Sequence, residues 1–189
     1  MTKTFVPSGD RIVLGILLML GFCVTGPLLD VAAKLASDEI PVGQITTLRF
    51  VIQSVLMFPV VLGLGFSLTY PRSLVPHMTL RALFLIISTY CFVAAVAVMP
   101  IADALAIVFI EPFILLLLGK WLFQEQVGPR RLIASLVGFI GVCFVIQPSL
   151  AVFGLVALYP LGTAFFFAFY MLMTRSLSRK IHPVPMQMH

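Results

Sequence analysis

Six stretches of this chain are almost wholly apolar, and turn-forming residues separate them. They cover about 12–36, 42–66, 80–99, 101–123, 131–147 and 153–174. A helix needs about 20 apolar residues to cross the hydrocarbon core of a bilayer, and these runs are of that order. None alternates apolar and polar positions as the strands of a membrane barrel do. Only helices and closed barrels satisfy their backbone groups in lipid. The pattern therefore predicts an all-α fold, a polytopic membrane helical bundle of six transmembrane helices. The breaks read "SDEIP" at 37–41, "SLTYPRSLVPH" at 67–77, "MP" at 99–100, "QEQVGP" at 124–129 and "QPSL" at 147–150. These are turn sequences. The "MP" break is so short that helices three and four are expected to form an antiparallel hairpin.

Composition names the solvent. Of 189 residues, 61% are hydrophobic and 10% charged, and the mean hydropathy is +1.14. A soluble domain carries about 25% charged residues, because a small fold needs a polar skin. The bilayer is the expected surrounding.

The net charge of +5 raises the question of nucleic acid. No cationic run with interleaved aromatics is present, so a nucleic-acid partner is not expected. Cys23, Cys91 and Cys143 all lie in apolar runs without metal-ligand spacing. They read as small packing residues, and no cofactor or metal is expected. The first run exceeds the core of a signal peptide and no A-x-A site follows it, so it reads as an uncleaved helix.

The cations also orient the bundle. With the N-terminus inside, the cytoplasmic side receives Lys3, Arg11, Arg72, Arg81, Lys120, Arg130, Arg131, Arg175, Arg179 and Lys180. The opposite loops receive none. The remaining two of the twelve, Lys34 and Arg49, fall inside predicted helices away from the cytoplasmic ends. The expected location is the inner membrane, multi-pass, with a cytoplasmic N-terminus.

Five ionisable residues sit within predicted spans away from their cytoplasmic ends: Asp30, Lys34, Arg49, Asp103 and Glu111. Each costs about 2.5–3.5 kcal/mol at a helix centre, so such groups usually face a bundle interior and find partners. Folding helices one and two about their turn puts Asp30 and Arg49 at equal depth. Lys34 follows Asp30 at the i, i+4 spacing that shares a face. A cluster of the three is expected, serving either as an ion-pair clasp or as a substrate or ion contact. Asp103 lies near the mouth and reads as stabilising a helix N-terminus. Reflection about residues 99–100 sets Glu111 level with Ser88, Thr89 and Tyr90. That is about 15 Å below the outer surface. Pro112 has no N–H, so the carbonyl of Val108 loses its helical partner and a break is expected there. Pro27, in "VTGPLLD", is a similar expected weak point in helix one. Broken helices at the midplane are a recurrent way to build transporter sites.

The sixth run, "VFGLVALYPLGTAFFFAFYMLMTRSLS", loosely matches the first, "VLGILLMLGFCVTGPLLDVAAKLAS". Each has a glycine near its start, an interior Pro and Gly, and a cation three residues before a serine. A repeat of five helices is odd, so a second copy would enter the membrane from the opposite face.

The stretch "ADALAIVFIEPFILLLLGKWLFQEQVGPRRLIASLVGFIGVCFVIQP" resembles the EamA-type repeat of the drug/metabolite transporter superfamily over its helices four and five. The matching positions are Pro112, Glu125, the pair Arg130 and Arg131, Gly138, Gly141 and Pro148. "VGQITTLRF" resembles the family's helix-two start. Gln124 stands where family members commonly have glycine.

The cations leave residues 1–11 as a cytoplasmic N-terminus, and the resemblance implies 12–148 as a five-helix repeat and 149–189 as the start of a second repeat, with one helix at about 153–174 and a cytoplasmic tail. It also implies ten helices in all, so the chain is expected to be a truncated piece, or else a half-size protein forming a homodimer. The expected function is transport of a small metabolite or drug by alternating access, coupled to protons or ions. Glu111 is the first candidate contact, with Asp30, Arg49, Lys34, Ser88 and Thr89 behind it. The alternative is a non-transporting half or structural membrane subunit. An enzyme is not expected: His77, His182 and His189 lie in a loop and the tail, and no nucleophile sits beside a base.

Overall fold

The structure, a computed structural model, describes residues 12–63, 72–123, 128–146, 154–178 and Met186. Helix α1 spans Ile12–Ala36, α2 Val42–Gly63, α3 Val75–Val98, α4 Ile101–Val108, α5 Glu111–Phe123 and α6 Pro129–Ile146. A 3-10 turn at Gly154–Ala157 leads into α7, Leu158–Ser178. Gly154 opens that turn with φ 51°, a left-handed conformation that glycine adopts without strain. Among the described residues, five spans are long and apolar enough to cross a membrane, with α4 and α5 together making one of them, and α6 adds a shorter apolar core over Leu132–Gly141. The chain is a multi-pass membrane helical bundle. Gln124, Glu125, Pro148, the N-terminal Lys3 and Arg11, and the tail residues Arg179 and Lys180 lie outside the described residues.

The turns follow their sequences. Past α1, Ser37 donates its hydroxyl to the Lys34 carbonyl at 2.6 Å. Pro41 then opens α2, its carbonyl accepting from the Gln44 and Ile45 amides. Ala33, Ile45 and Val93 pack together where α1, α2 and α3 meet. Helix α3 begins five residues earlier than the hydropathy pattern predicts (75 against 80), with a proline in its first turn. Proline fits there because the first N–H groups of a helix have no intrahelical partner. This start draws Arg81 into the helix proper.

The predicted hairpin at "MP" is present only near its turn. The Met99 amide donates to Ala95 O at 3.0 Å and the Ala104 amide to Pro100 O at 3.1 Å. Ala95, Val96, Met99 and Ala104 form a buried cluster around that turn. Beyond it, α7 packs against α3, α4 and α5, and α3 has little direct contact with α5.

The α3–α7 seam runs the full length of both helices and is antiparallel. Met78 packs with Leu177. Arg81 bonds to Thr174 and Tyr170. Phe84 stacks near Phe169 and Phe166, with ring centroids 5.3 and 6.2 Å away. Ser88 donates to the Thr163 carbonyl, and Val156 reaches the Ala95–Val96 cluster. Ala164 and Ala168 are fully buried on α7. A methyl added to Gly162 would lie 3.4 Å from the Cys91 sulfur. Small residues let membrane helices approach closely enough for dispersion to hold them.

Candidate functional site

Three polar sites interrupt the apolar bundle. The first joins α1 and α2 near the turn between them. Arg49 approaches Asp30 with Nη1 3.5 Å from Oδ1, and both side chains are largely buried, at 24% and 20% exposure. The equal depth expected for this pair is realised.

Lys34 does not join it. Its Nζ donates to the carbonyl of Val96 at 2.6 Å and of Met99 at 3.1 Å. Those are the unpaired carbonyls at the C-terminal end of α3, where the helix dipole favours a cation. The three-residue cluster is thus corrected to an ion pair plus a lysine that caps a neighbouring helix. The i, i+4 spacing is satisfied, but Asp30 is engaged by Arg49, and the long lysine stem lets the ammonium reach two carbonyls at the end of α3.

The second site is the break between α4 and α5. At Phe109–Ile110 the helix tightens: the Ile110 amide donates to Ile107 O at 3.1 Å, and that of Phe113 to Ile110 O at 3.0 Å. Pro112 supplies no amide, so the regular ladder lapses at Val108. The break makes Glu111 the first residue of α5, where its charge meets the positive end of a helix dipole. The side chain is half-buried. Among the described residues its carboxylate has neither a hydrogen bond nor an ion pair within reach.

Asp103 occupies the first turn of α4. By contrast α1 runs unbroken through Pro27. Losing one bond there leaves the surrounding turns intact, and the helix continues.

Ser88 and Thr89 were expected opposite Glu111. Ser88 is buried, and its hydroxyl donates to Thr163 O at 3.1 Å, on α7. Thr89 is half-buried, and neither residue bonds to Glu111 among the described residues. The reason is α7, which takes the place along α3 that a simple hairpin would have given to α5.

The third site is one that sequence reasoning missed. Arg81 is 1% exposed. Its Nε donates to Thr174 Oγ1 at 2.8 Å, Nη1 to the Met186 carbonyl at 2.9 Å and Nη2 to the Tyr170 hydroxyl at 3.1 Å. The guanidinium carbon also lies 4.7 Å from the Tyr170 ring centroid, a cation–π arrangement. In the sequence Arg81 looks like one more cation at a helix end. Tyr170 and Thr174 share a face by their i, i+4 spacing, and that is the only signal that could have pointed to them.

A shallow open groove on α2 is lined by Gly43, Gln44, Thr47, Leu48 and Val51, so it includes none of the ionisable residues. Among the described residues no group of three or more His, Cys, Asp or Glu side chains is placed to hold a metal.

Comparison with known proteins joins these features to a family. The EamA-like transporter family matches residues 13–147. The riboflavin transporter of Vibrio cholerae serotype O1 is 30% identical over 176 residues, covering 91% of this chain and 59% of the relative. The pseudopaline exporter CntI of Pseudomonas aeruginosa is 25% identical over 174 residues, covering 92% of the chain and 61% of the exporter. The S-adenosylmethionine uptake transporter of Rickettsia prowazekii is 25% identical over 145 residues, covering 77% and 49%. The chain therefore spans between about half and three-fifths of the length of these relatives. No solved structure matches it. With the family matched across most of the chain, from the second residue of α1 to the end of α6, this protein belongs to the EamA-like transporter family.

Proposed function

We propose that the chain forms the first repeat and one further helix of a transporter that moves a small organic solute across the inner membrane by alternating access. Its N-terminus is cytoplasmic in this reading, as the ten-to-none distribution of cations between the loops and helix ends of the two sides favours. The rest of the pathway comes from a second half or a second copy. The observation that carries the proposal is Glu111, a half-buried carboxylate at a break in a membrane-length helix. Among the described residues it has no partner. A charge in such a place is costly, and it usually marks a substrate or ion path. Glu111 is the proton- or cation-sensing group in this scheme.

Lys34 and Ser88 spend their donors on backbone carbonyls, so their role here is to hold helices. The Asp30–Arg49 pair is a clasp between α1 and α2. Thr89 is left as the polar neighbour of the path on α3.

Riboflavin is the first cargo to test, because three of the relatives are named riboflavin transporters. Membrane vesicles holding the chain with its second half, or the chain alone where two copies complete the path, should accumulate labelled riboflavin at a rate that depends on pH. Glu111→Gln should abolish that dependence and slow uptake by about tenfold or more, the scale of losing one charged contact. Uptake and pH profile unchanged in the variant would remove Glu111 from the mechanism. No uptake of any cargo by that completed assembly, correctly inserted, would favour a structural subunit instead.

A further inference from the structure

We propose that Arg81, Tyr170 and Thr174 form a reversible latch, closed in this structure, at the cytoplasmic end of the α3–α7 seam. This end parts while the opposite end of the same seam stays shut. The inference rests on the alternating-access reading and its orientation, but its test measures no transport, so the two can fail separately.

The argument compares what each end of the seam would lose on opening. The Arg81 guanidinium donates to two side-chain hydroxyls on α7 and to the Met186 carbonyl. It lies six residues into α3, from Val75 to Arg81. That is about 9 Å from the helix start, within reach of interfacial water. Each bond that breaks there can be replaced by a bond to water, so opening is an exchange between near-equal states.

The far half of the seam has no such substitute. Ser88 is buried about 20 Å from the helix start. Parting from Thr163 would leave its hydroxyl and that carbonyl unpaired in an apolar setting. Beyond it, Cys91 sits against Gly162, and Val156 seals the Ala95–Val96 cluster. The Ser88–Thr163 bond and the adjoining Cys91–Gly162 contact together are the pivot. The Phe84, Phe166 and Phe169 rings, between pivot and latch, can slide over one another without leaving any polar group unsatisfied.

Two buried reporters test this in membranes. In a background with Cys23 and Cys143 replaced by alanine and Cys91 by serine, which keeps its size at the pivot, Met78→Cys reports on the latch end and Val96→Cys on the far end. These sites are 4% and 0% exposed. Labelling by a membrane-impermeant maleimide, added from the cytoplasmic side for position 78 and from the opposite side for position 96, follows the fraction of time each site is open. Tyr170→Phe and Thr174→Val remove the two acceptors while keeping side-chain shape. Each should raise the labelling rate at position 78 by about threefold, the factor expected from one interhelical hydrogen bond in a membrane. Together they should raise it by about tenfold, with position 96 unchanged. An equal rise at both positions would mean a merely loosened fold and would overturn the latch. So would no change at position 78, or labelling in the parent as fast as that of a free thiol.

Discussion

The α3–α7 seam and the α1–α2 pair are made of equally apolar helices, yet they bury themselves very differently. A third of the most apolar window of α3 and of α7 is buried, against 17% for α2 and 6% for α1. The seam carries small residues at its contacts, stacked rings and the Arg81 clasp. The α1–α2 pair is joined chiefly by the ion pair of Asp30 and Arg49 and by packing near the turn. In water such exposed apolar faces would be a liability, whereas in lipid they cost nothing, because the tails are as apolar as leucine. Membrane helices are therefore sorted by fit and by polar contacts. Hydrophobicity sets their membership of the bundle, and shape sets their neighbours.

The contrast can be broken most sharply by overfilling the seam. Ala168→Leu inserts a large side chain at a fully buried position on α7, and it should cost about 1–3 kcal/mol of resistance to unfolding in mixed detergent micelles. A smaller effect is expected where α1 meets α3. Lys34→Met keeps the aliphatic stem but leaves the Val96 and Met99 carbonyls unbonded. The expected loss is about 1–2 kcal/mol, read from the same titration. The smallest change belongs to the open face of α2. Leu56→Ala, at a position 65% exposed, should shift stability by less than about 0.5 kcal/mol. A loss well above that, measured in the assembled membrane form, would show that protein and not lipid covers this face.

The sequence made the bundle legible because hydrophobic runs, turn residues and proline chemistry are local signals. The break at Pro112 and the equal depth of Asp30 and Arg49 both followed from such signals. Depth along the membrane normal can be counted from a turn at a fixed rise per residue. The direction a residue faces around its helix, and which helix it meets, cannot be counted that way. That is why Ser88 was matched in height with Glu111 but turned out to bond to α7. It is also why Lys34, given the right face, was assigned the wrong partner. Arg81 was hidden for a third reason: its partners lie 89 and 93 residues further along the chain. No local pattern announces a contact of that span.

The pairing of α3 with α7 also imposes a schedule on biosynthesis. The last residue of α3 precedes the first of α7 by 60 positions, from 98 to 158. At about 5–20 residues per second, several seconds separate the emergence of the two helices from the ribosome. Throughout that interval the finished α3 holds its seam face, including the Arg81 guanidinium, without the helix that will cover it. Insertion machinery or headgroup water must shelter that cation until α7 arrives. Slowing synthesis between the two helices should therefore lengthen the stage at which the nascent bundle is most open to proteolysis.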